Sequence, residues 1–491
     1  MSSTPEQRGA LAKNALGPSG IVFLVLAAVA PLTAMVVIAP LGIALGSGHG
    51  IPGSFLVVSV ILLLFAIGYA QMSRHVVNAG AFYAYVTQAI GRTAGLATAF
   101  VAVLGYNTFV IGAVATSGFF TAGVFNDVLG IDLPWQVWSA LSVVIVTVLG
   151  RRGVDVSARI LAVALIAESA ILVVFDISVL LDGGFDLGSF APSAVFGAGA
   201  GIGLLFAFTS FLGFEATAIF AEEARDPKRT IPKATYAAIL IMGTFYVLTT
   251  LAIVSALGAA QADAVDPADA GGLVFAVANE HLGAFLTDVM QLLLVVSLFA
   301  ALLALHNSAT RYLFAMGRAR VFPQVLARTH RTMGSPHVAS GVQMGLSAVV
   351  VAIFAIAGAD PILVIVPSMT GFGTLCIIAL QAAAAVAVVV FFRKRGDGRY
   401  ASTFVAPALG GIGLIGAFVM ATANFPTIAG TDSPIITKLP WLLLATVVLG
   451  VVVAELLKRR RPDVYEGLGA SFVGDAAPAE AEAEPPVVAG R

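Results

Sequence analysis

FAFTSFLGFEATAIFAEE, residues 206 to 223, sets Thr209, Ser210, Gly213 and Glu215 inside a segment that is otherwise apolar from about 197 to 221. A segment of that length crosses the hydrocarbon core of a bilayer, which takes about 20 residues of helix. A charged residue at the centre of such a helix costs about 2.5–3.5 kcal/mol. Non-helical backbone survives at that depth only where protein or a watery cavity surrounds it. The segment therefore reads as a broken membrane helix whose carboxylate is a candidate for function.

Eleven further apolar stretches surround this one, at about 20 to 46, 52 to 73, 94 to 125, 134 to 150, 156 to 182, 233 to 260, 281 to 309, 337 to 358, 361 to 392, 403 to 424 and 438 to 457. The composition agrees with a polytopic membrane protein: 59% of residues are hydrophobic and 11% charged. If twelve spans are threaded with both termini inside, every lysine and arginine except Lys438 falls on the inner side. The outer loops carry Asp127, Asp132, Asp182, Asp186, Asp263, Asp266 and Asp269. The quoted stretch is then the sixth span. The first span is interrupted too, by Pro31 and Pro40, each of which removes a backbone donor. Broken helices in corresponding positions of two five-helix halves point to the midplane site of a transporter. No internal repeat is visible, so the correspondence rests on spacing and break position.

The expected organisation is an N-terminal cytoplasmic tail (1–18), a transmembrane domain (19–460) and a disordered cytoplasmic tail (461–491) rich in Ala, Glu and Pro. Within the domain, helices 1–5 cover about 19–182, helices 6–10 about 197–393 and helices 11–12 about 403–457. The first apolar segment is too long for a signal-peptide core and reads as retained. The one cysteine, Cys376, excludes an intramolecular disulfide and a cysteine metal cluster. Neither metal-ligand spacing, nor a nucleophile with its base, nor a phosphate-binding loop is present, so the reading expects no enzyme, metal or cofactor. The basic residues serve as inner anchors beside the lipid bilayer, and no nucleic acid is expected as partner. A channel would need one continuous pore, whereas paired breaks suit a site occluded from both sides.

From residue 208 to 234 the chain reads FTSFLGFEATAIFAEEARDPKRTIPKA, which resembles the signature of the amino acid-polyamine-organocation superfamily of permeases. NAGAFYAYV (78 to 86), RRGVDVSARI (151 to 160) and RYLFAMGRARVFP (311 to 323) agree with it in order, so the resemblance covers about residues 18 to 460. It implies an all-α fold of about twelve helices, a LeuT-type 5+5 inverted repeat with helices 1 and 6 broken. It also implies alternating-access transport of an amino acid or related amine across the cell membrane. Facing half-helix ends suit a zwitterion, with amide groups for the carboxylate and carbonyls for the ammonium.

Carried over by position, the first break falls on Thr33, Ala34 and Met35, where many relatives have Gly-Ser-Gly. The second falls on Phe208, Thr209, Ser210, Phe211 and Gly213, with Thr209 where some arginine-type relatives place a gating tryptophan. Tyr106 and Asn107 are polar points on the third span, which faces the substrate in this fold. Glu215 matches an acidic position with a part in gating and pH response in relatives. Glu222, Glu223 and Arg225 read as a cytoplasmic rim.

Glu168 stands nine residues after Arg159, where several sodium-independent relatives carry a lysine. Burial disfavours the ionised form of a carboxylate, so Glu168 is the candidate to carry a proton as coupling ion. Ligation of sodium, or a place in a lateral crevice without transport duty, are the competing readings. His306 brings an imidazole to the eighth span, either to titrate or to make a polar contact. Asn307 and Ser308 are candidates for the inner half of the pathway. The sequence leaves open which amino acid or amine is carried, and whether by symport or exchange.

Overall fold

The computed structural model describes residues 21–22, 25–26, 29–76, 81–152, 158–215, 217, 226–330 and 334–472. The expectations for the 1–18 tail and for Glu222, Glu223 and Arg225 lie outside these residues, as do parts of NAGAFYAYV and RRGVDVSARI. No strand occurs among the described residues. A run of short α and π turns over 31–47 (α1) leads through a tight turn into Ile51–Met72 (α2). Ala81–Ala89 (α3), Arg92–Leu129 (α4), Trp135–Arg152 (α5) and Ala158–Asp182 (α6) follow. Ala200–Ser210 (α7) is short. After it come Pro227–Leu257 (α8), Leu273–Leu282 (α9), Ala284–Arg318 (α10), His337–Ile356 (α11), Val366–Lys394 (α12), Ala406–Ala423 (α13), Leu439–Arg460 (α14) and Pro462–Phe472 (α15). Nine helical stretches among the described residues are long and apolar enough to cross a membrane.

The polarity of the bundle is that of a protein in lipid. Its outer face carries exposed Val163, Ile166, Ile353, Ile412 and Val448, while most of its buried polar side chains find partners within their own helix or on a neighbour. The helices pack most closely where glycine removes the side chain. A Cβ on Gly373 of α12 would lie 2.9 Å from the Gly105 carbonyl oxygen and 2.9 Å from the Phe109 nitrogen of α4. These two helices run backbone against backbone, as close membrane packing requires, and they form the wall to which α10 and α14 add.

The C-terminal expectation needs correction for its first part. Residues 462 to 472 form α15, with Val464 and Leu468 buried. The Tyr465 hydroxyl lies 3.0 Å from that of Thr93, and Arg92 stands over the Tyr465 ring at 5.8 Å. Val464, Tyr465 and Leu468 share one side of a helix, a local stripe that the Ala, Glu and Pro content of the tail as a whole conceals. Residues 473–491 lie outside the description.

Candidate functional site

The interruption expected over 208–213 coincides with the end of α7 and the turns that follow it; of residues 216–225 only 217 is described. Half-helix α7 ends at Ser210, residues 211 to 215 form turns, and Gly213 takes φ 116°, a conformation that glycine adopts without steric cost. Glu215 folds back into the opened backbone. Its Oε2 accepts from the Gly213 N–H at 3.0 Å and its Oε1 from the Tyr106 hydroxyl at 2.7 Å. The Tyr69 hydroxyl donates to the Glu215 carbonyl at 3.3 Å, and Tyr106 stacks on Tyr312 with centroids 5.0 Å apart. Glu215 thus ties the break to α2, α4 and α10, and it is 1% exposed.

The first-span break lies upstream of its expected position. Ala30 is left-handed at φ 50°, ψ 77°, while Thr33 and Ala34 are already helical. Pro31 disfavours the right-handed helical region for Ala30, the residue before it, so regular helix does not run through this point. An interrupted helix leaves its first amides without partners in the helix. Here the Thr33 hydroxyl donates to Ser297 Oγ of α10 at 3.0 Å, with the Thr33 N–H 3.4 Å from the same oxygen. The Glu168 carboxylate of α6 faces the Leu32 N–H and the Ser297 hydroxyl. Its other oxygen is buried without a partner, and the side chain is 3% exposed.

Between the two breaks lies a cavity of about 50 Å³. Thr33, Ala34 and Ile38 wall it from α1, Thr209 and Ser210 from the last turn of α7, and Leu212 from the break. Phe109, Ala113 and Thr116 come from α4, Leu298, Ala301 and Leu305 from α10, and Thr370 from α12. None of these carries an ionisable group. The polar atoms of the wall are hydroxyls, several bonded back to their own helix: Thr209 to Leu205 at 2.8 Å, Thr116 to Gly112 at 2.8 Å and Ser210 to Phe206 at 3.2 Å. Thr209 also meets Thr374 at 2.8 Å. A water needs roughly 10–15 Å³ of such space, so the cavity suits a small solute.

The structure therefore brings Thr33, Ala34, Thr209 and Ser210 to one wall and leaves other candidates elsewhere. Met35 and Phe208 are buried off the cavity. Phe211 packs against Phe55 and Tyr246, at 6.4 and 5.4 Å. Tyr106 serves Glu215, and the Asn107 amide donates to Val103 O of its own helix at 2.7 Å. His306 is fully buried between Gln343 and Ser340 of α11: its Nδ1 lies 2.5 Å from Gln343 Oε1, which can only accept, so Nε2 accepts from Ser340 at 2.9 Å. That is a polar contact between helices. Asn307 is partly buried and off the cavity.

Sequence reasoning missed the apolar half of the wall. Phe109, Ala113 and Thr116 share a helical face, as do Leu298, Ala301 and Leu305, but in spans apolar all round no residue marks which face turns inward. Asp176 was missed as well; its Oδ2 accepts from the Thr249 hydroxyl at 2.8 Å. Among the described residues no cluster of three or more potential metal ligands occurs.

Comparison with known proteins adds the following. The family model for amino acid permeases matches residues 20–454. The branched-chain amino acid permease BcaP of Bacillus subtilis is 24% identical over 315 residues, covering 60% of this chain and 66% of that protein. BcaP of Lactococcus lactis is 24% identical over 301 residues, covering 57% and 64%, and the histidine permease HisP of the same species is 23% identical over 292 residues, covering 56% and 59%. The chain thus spans somewhat less than two thirds of the length of these relatives.

Proposed function

Because the chain belongs to the amino acid permease family, we propose that it carries an amino acid with a small uncharged side chain across the cell membrane by alternating access, coupled to a proton. The observation that carries this reading is the cavity where the two helix breaks meet. Thr33 and Ala34 start one half-helix and Thr209 and Ser210 end the other, so the positive end of a helix dipole and the negative end of another border the same small space. A zwitterion matches that pair of ends. The aliphatic and hydroxyl wall offers no counter-charge to a cationic or anionic side chain, and burying an unpaired charge there is costly. The names of the branched-chain relatives accord with this class.

The coupling role falls to Glu168. Its carboxylate stands at the opening of α1 in contact with Leu32 and Ser297, the place where a substrate carboxylate would also seek amide donors. Protonation removes the competing negative charge, so proton and substrate enter together. Helix 1, carrying Thr33 and Ala34, is the element that both would bias. Twelve crossings in the LeuT-type arrangement, with both termini inside, complete the proposal; the helical order and the two breaks support it.

The test is uptake of radiolabelled leucine, valine, alanine, lysine and glutamate into proteoliposomes, with and without an inward proton gradient. Gradient-driven accumulation of the neutral amino acids is expected. Uptake only against preloaded substrate would make the protein an exchanger, and accumulation driven by sodium alone would overturn the coupling assignment.

A further inference from the structure

Helix α6 carries a second carboxylate that has no part in the cavity. Asp176 stands eight residues after Glu168 and six before Asp182, where α6 ends. At 1.5 Å per residue it is about 12 Å along the helix from Glu168 and about 9 Å from that end. Eight residues also return a side chain to within about 80° of the same helix face. The Thr249 hydroxyl of α8, fully buried, donates to Asp176 Oδ2 at 2.8 Å. Oδ1 is buried without a partner, although Asp176 as a whole is only half-buried.

Tyr246 connects the levels of the two carboxylates. It precedes Thr249 by one turn on α8, and a long side chain on a helix leans towards the helix N-terminus. In the proposed threading α6 and α8 run in the same direction, so that lean points from the level of Asp176 towards that of Glu168. The ring is set edge-on against Phe55 of α2 and Phe211 after α7, at 5.8 and 5.4 Å, and Glu168 is the carboxylate that it faces. The Tyr246 hydroxyl has no partner, and neither has Glu168 Oε2. Asp176 Oδ1, Tyr246 Oη and Glu168 Oε2 are thus three buried oxygens on the seam between α6 and α8, each with an unfilled hydrogen-bonding position. Buried polar atoms are ordinarily paired; a proton in passage gives these three a reason not to be.

The surroundings of Asp176 hold no counter-charge. Helix α6 packs against residues 31–33, α8, α9 and α10. The first of these has no ionisable group. On α8 the ionisable residues besides Tyr246 are Lys228, Arg229, Lys233 and Tyr236, all in its first three turns. Helix α9 brings Glu280 and His281, the latter with Nδ1 2.6 Å from Asp182 Oδ2. On α10, Asp288 lies in the first turns and His306, Arg311, Tyr312 and Arg318 in the second half. On α6 itself are Glu168, Asp182 and, in the first turn, Arg159. The lysines and arginines of these elements therefore gather at the ends remote from Asp176. An isolated ionised carboxylate is costly to bury, and a proton on Oδ1 removes the charge.

We propose that Asp176 is the outer station of the coupling proton: its Oδ1 takes a proton from the outer solution and yields it, past the Tyr246 hydroxyl, to Glu168 Oε2. Only O–H bonds form and break. Each carboxylate is neutral while it holds the proton and returns to its anion on giving it up, and Tyr246 releases one proton as it receives another. Asp176 accordingly sets how fast Glu168 is loaded, not how many protons accompany a substrate. This role rests on the proton-coupled reading of Glu168 and on its orientation, and extends both to a residue away from the cavity.

The experiment uses the full chain in proteoliposomes and follows labelled leucine under an inward proton gradient, recording both the initial rate and the final accumulation, with counterflow at equal pH beside them. A positioned group that transfers a proton is worth about a hundredfold or more, so Asp176→Asn should slow the driven rate at least about tenfold. Final accumulation and counterflow should match those of the parent, because stoichiometry and the carrier cycle are untouched. Asp176→Glu should restore most of the driven rate. Tyr246→Phe, which keeps the ring against Phe55 and Phe211, should slow driven uptake and spare counterflow in the same way. A driven rate unchanged by Asp176→Asn would overturn the proposal. So would counterflow slowed in equal measure, which marks a structural role, or loss of final accumulation, which would make Asp176 the coupling site itself. In these three cases the proton-coupled reading survives, whereas a parent that accumulates nothing under the gradient would bring down both.

Discussion

Glu168→Gln keeps the size and shape of the side chain and removes its capacity to take up a proton. The amide oxygen can accept from the Leu32 N–H and the Ser297 hydroxyl as the carboxylate does. The new NH₂ then occupies the position of Oε2, which is buried without a partner. An unpaired buried donor costs about 1–3 kcal/mol, a loss of stability that a folded bundle survives. The transport consequence is larger. If one proton moves with each substrate, each unit of pH gradient supplies 1.36 kcal/mol, a tenfold accumulation. Proteoliposomes with a gradient of two units should therefore reach about a hundredfold accumulation of a neutral amino acid with the parent and none with Glu168→Gln. Counterflow of labelled substrate against preloaded unlabelled substrate should persist in both, because it needs no net proton movement. Equal accumulation by the two proteins would refute the assignment of the proton to Glu168. Loss of counterflow together with accumulation would assign Glu168 to substrate binding or structure instead.

Tyr106→Phe removes the 2.7 Å bond to the Glu215 carboxylate; a bond to a charged group is worth about 1.5–3 kcal/mol, so maximal uptake should fall at least about tenfold, while uptake unchanged within twofold would show that the break does not need this tie. Ala113→Leu fills much of the roughly 50 Å³ cavity and should abolish substrate binding measured by calorimetry without lowering expression, whereas Leu298→Ala should admit a larger neutral side chain such as phenylalanine. Gly373→Ala drives a methyl into the Gly105 and Phe109 backbone at 2.9 Å; overpacking of this kind costs about 1–3 kcal/mol, seen as a lower unfolding temperature in detergent, and an unchanged temperature would count against the close approach of α4 and α12. The Arg399 side chain and amide hold the Asp397 carboxyl, in the loop after α12, at a pKa of about 2. Its contribution is thus present above the unfolded aspartate value and is lost as pH falls through about 2. Asp397→Asn should accordingly leave the slope of stability between pH 5 and 8 unchanged, and a difference growing across that range would contradict the pairing.

Much of the architecture could be read from runs of apolar residues, because a bilayer sets the length of a span and forbids unsatisfied backbone within it. The polar interruption at 209–215 stood out for the same reason, and Gly213 turned out to hold the positive φ that such a break requires. The first break was harder. Two prolines offered themselves, and only the folded chain shows that the left-handed residue is Ala30, just before Pro31, while Pro40 is carried inside helical turns.

What the sequence by itself determined was which segments are apolar enough to enter a membrane, and that Glu168, Glu215 and the polar residues at 209–215 interrupt them. These follow from composition along the chain, since each polar residue is costly in lipid wherever it points. Only the tertiary structure decided which way residues point. It turned Tyr106 to Glu215, His306 to α11 and Asn107 to its own helix, and it chose Ala113, Leu298 and Thr370 for the cavity wall. In spans that are apolar on every side, the inward face has no signature in the hydrophobic period. It is set by where glycines let neighbouring helices approach and by which partners the buried hydroxyls find, and both are properties of the packed bundle.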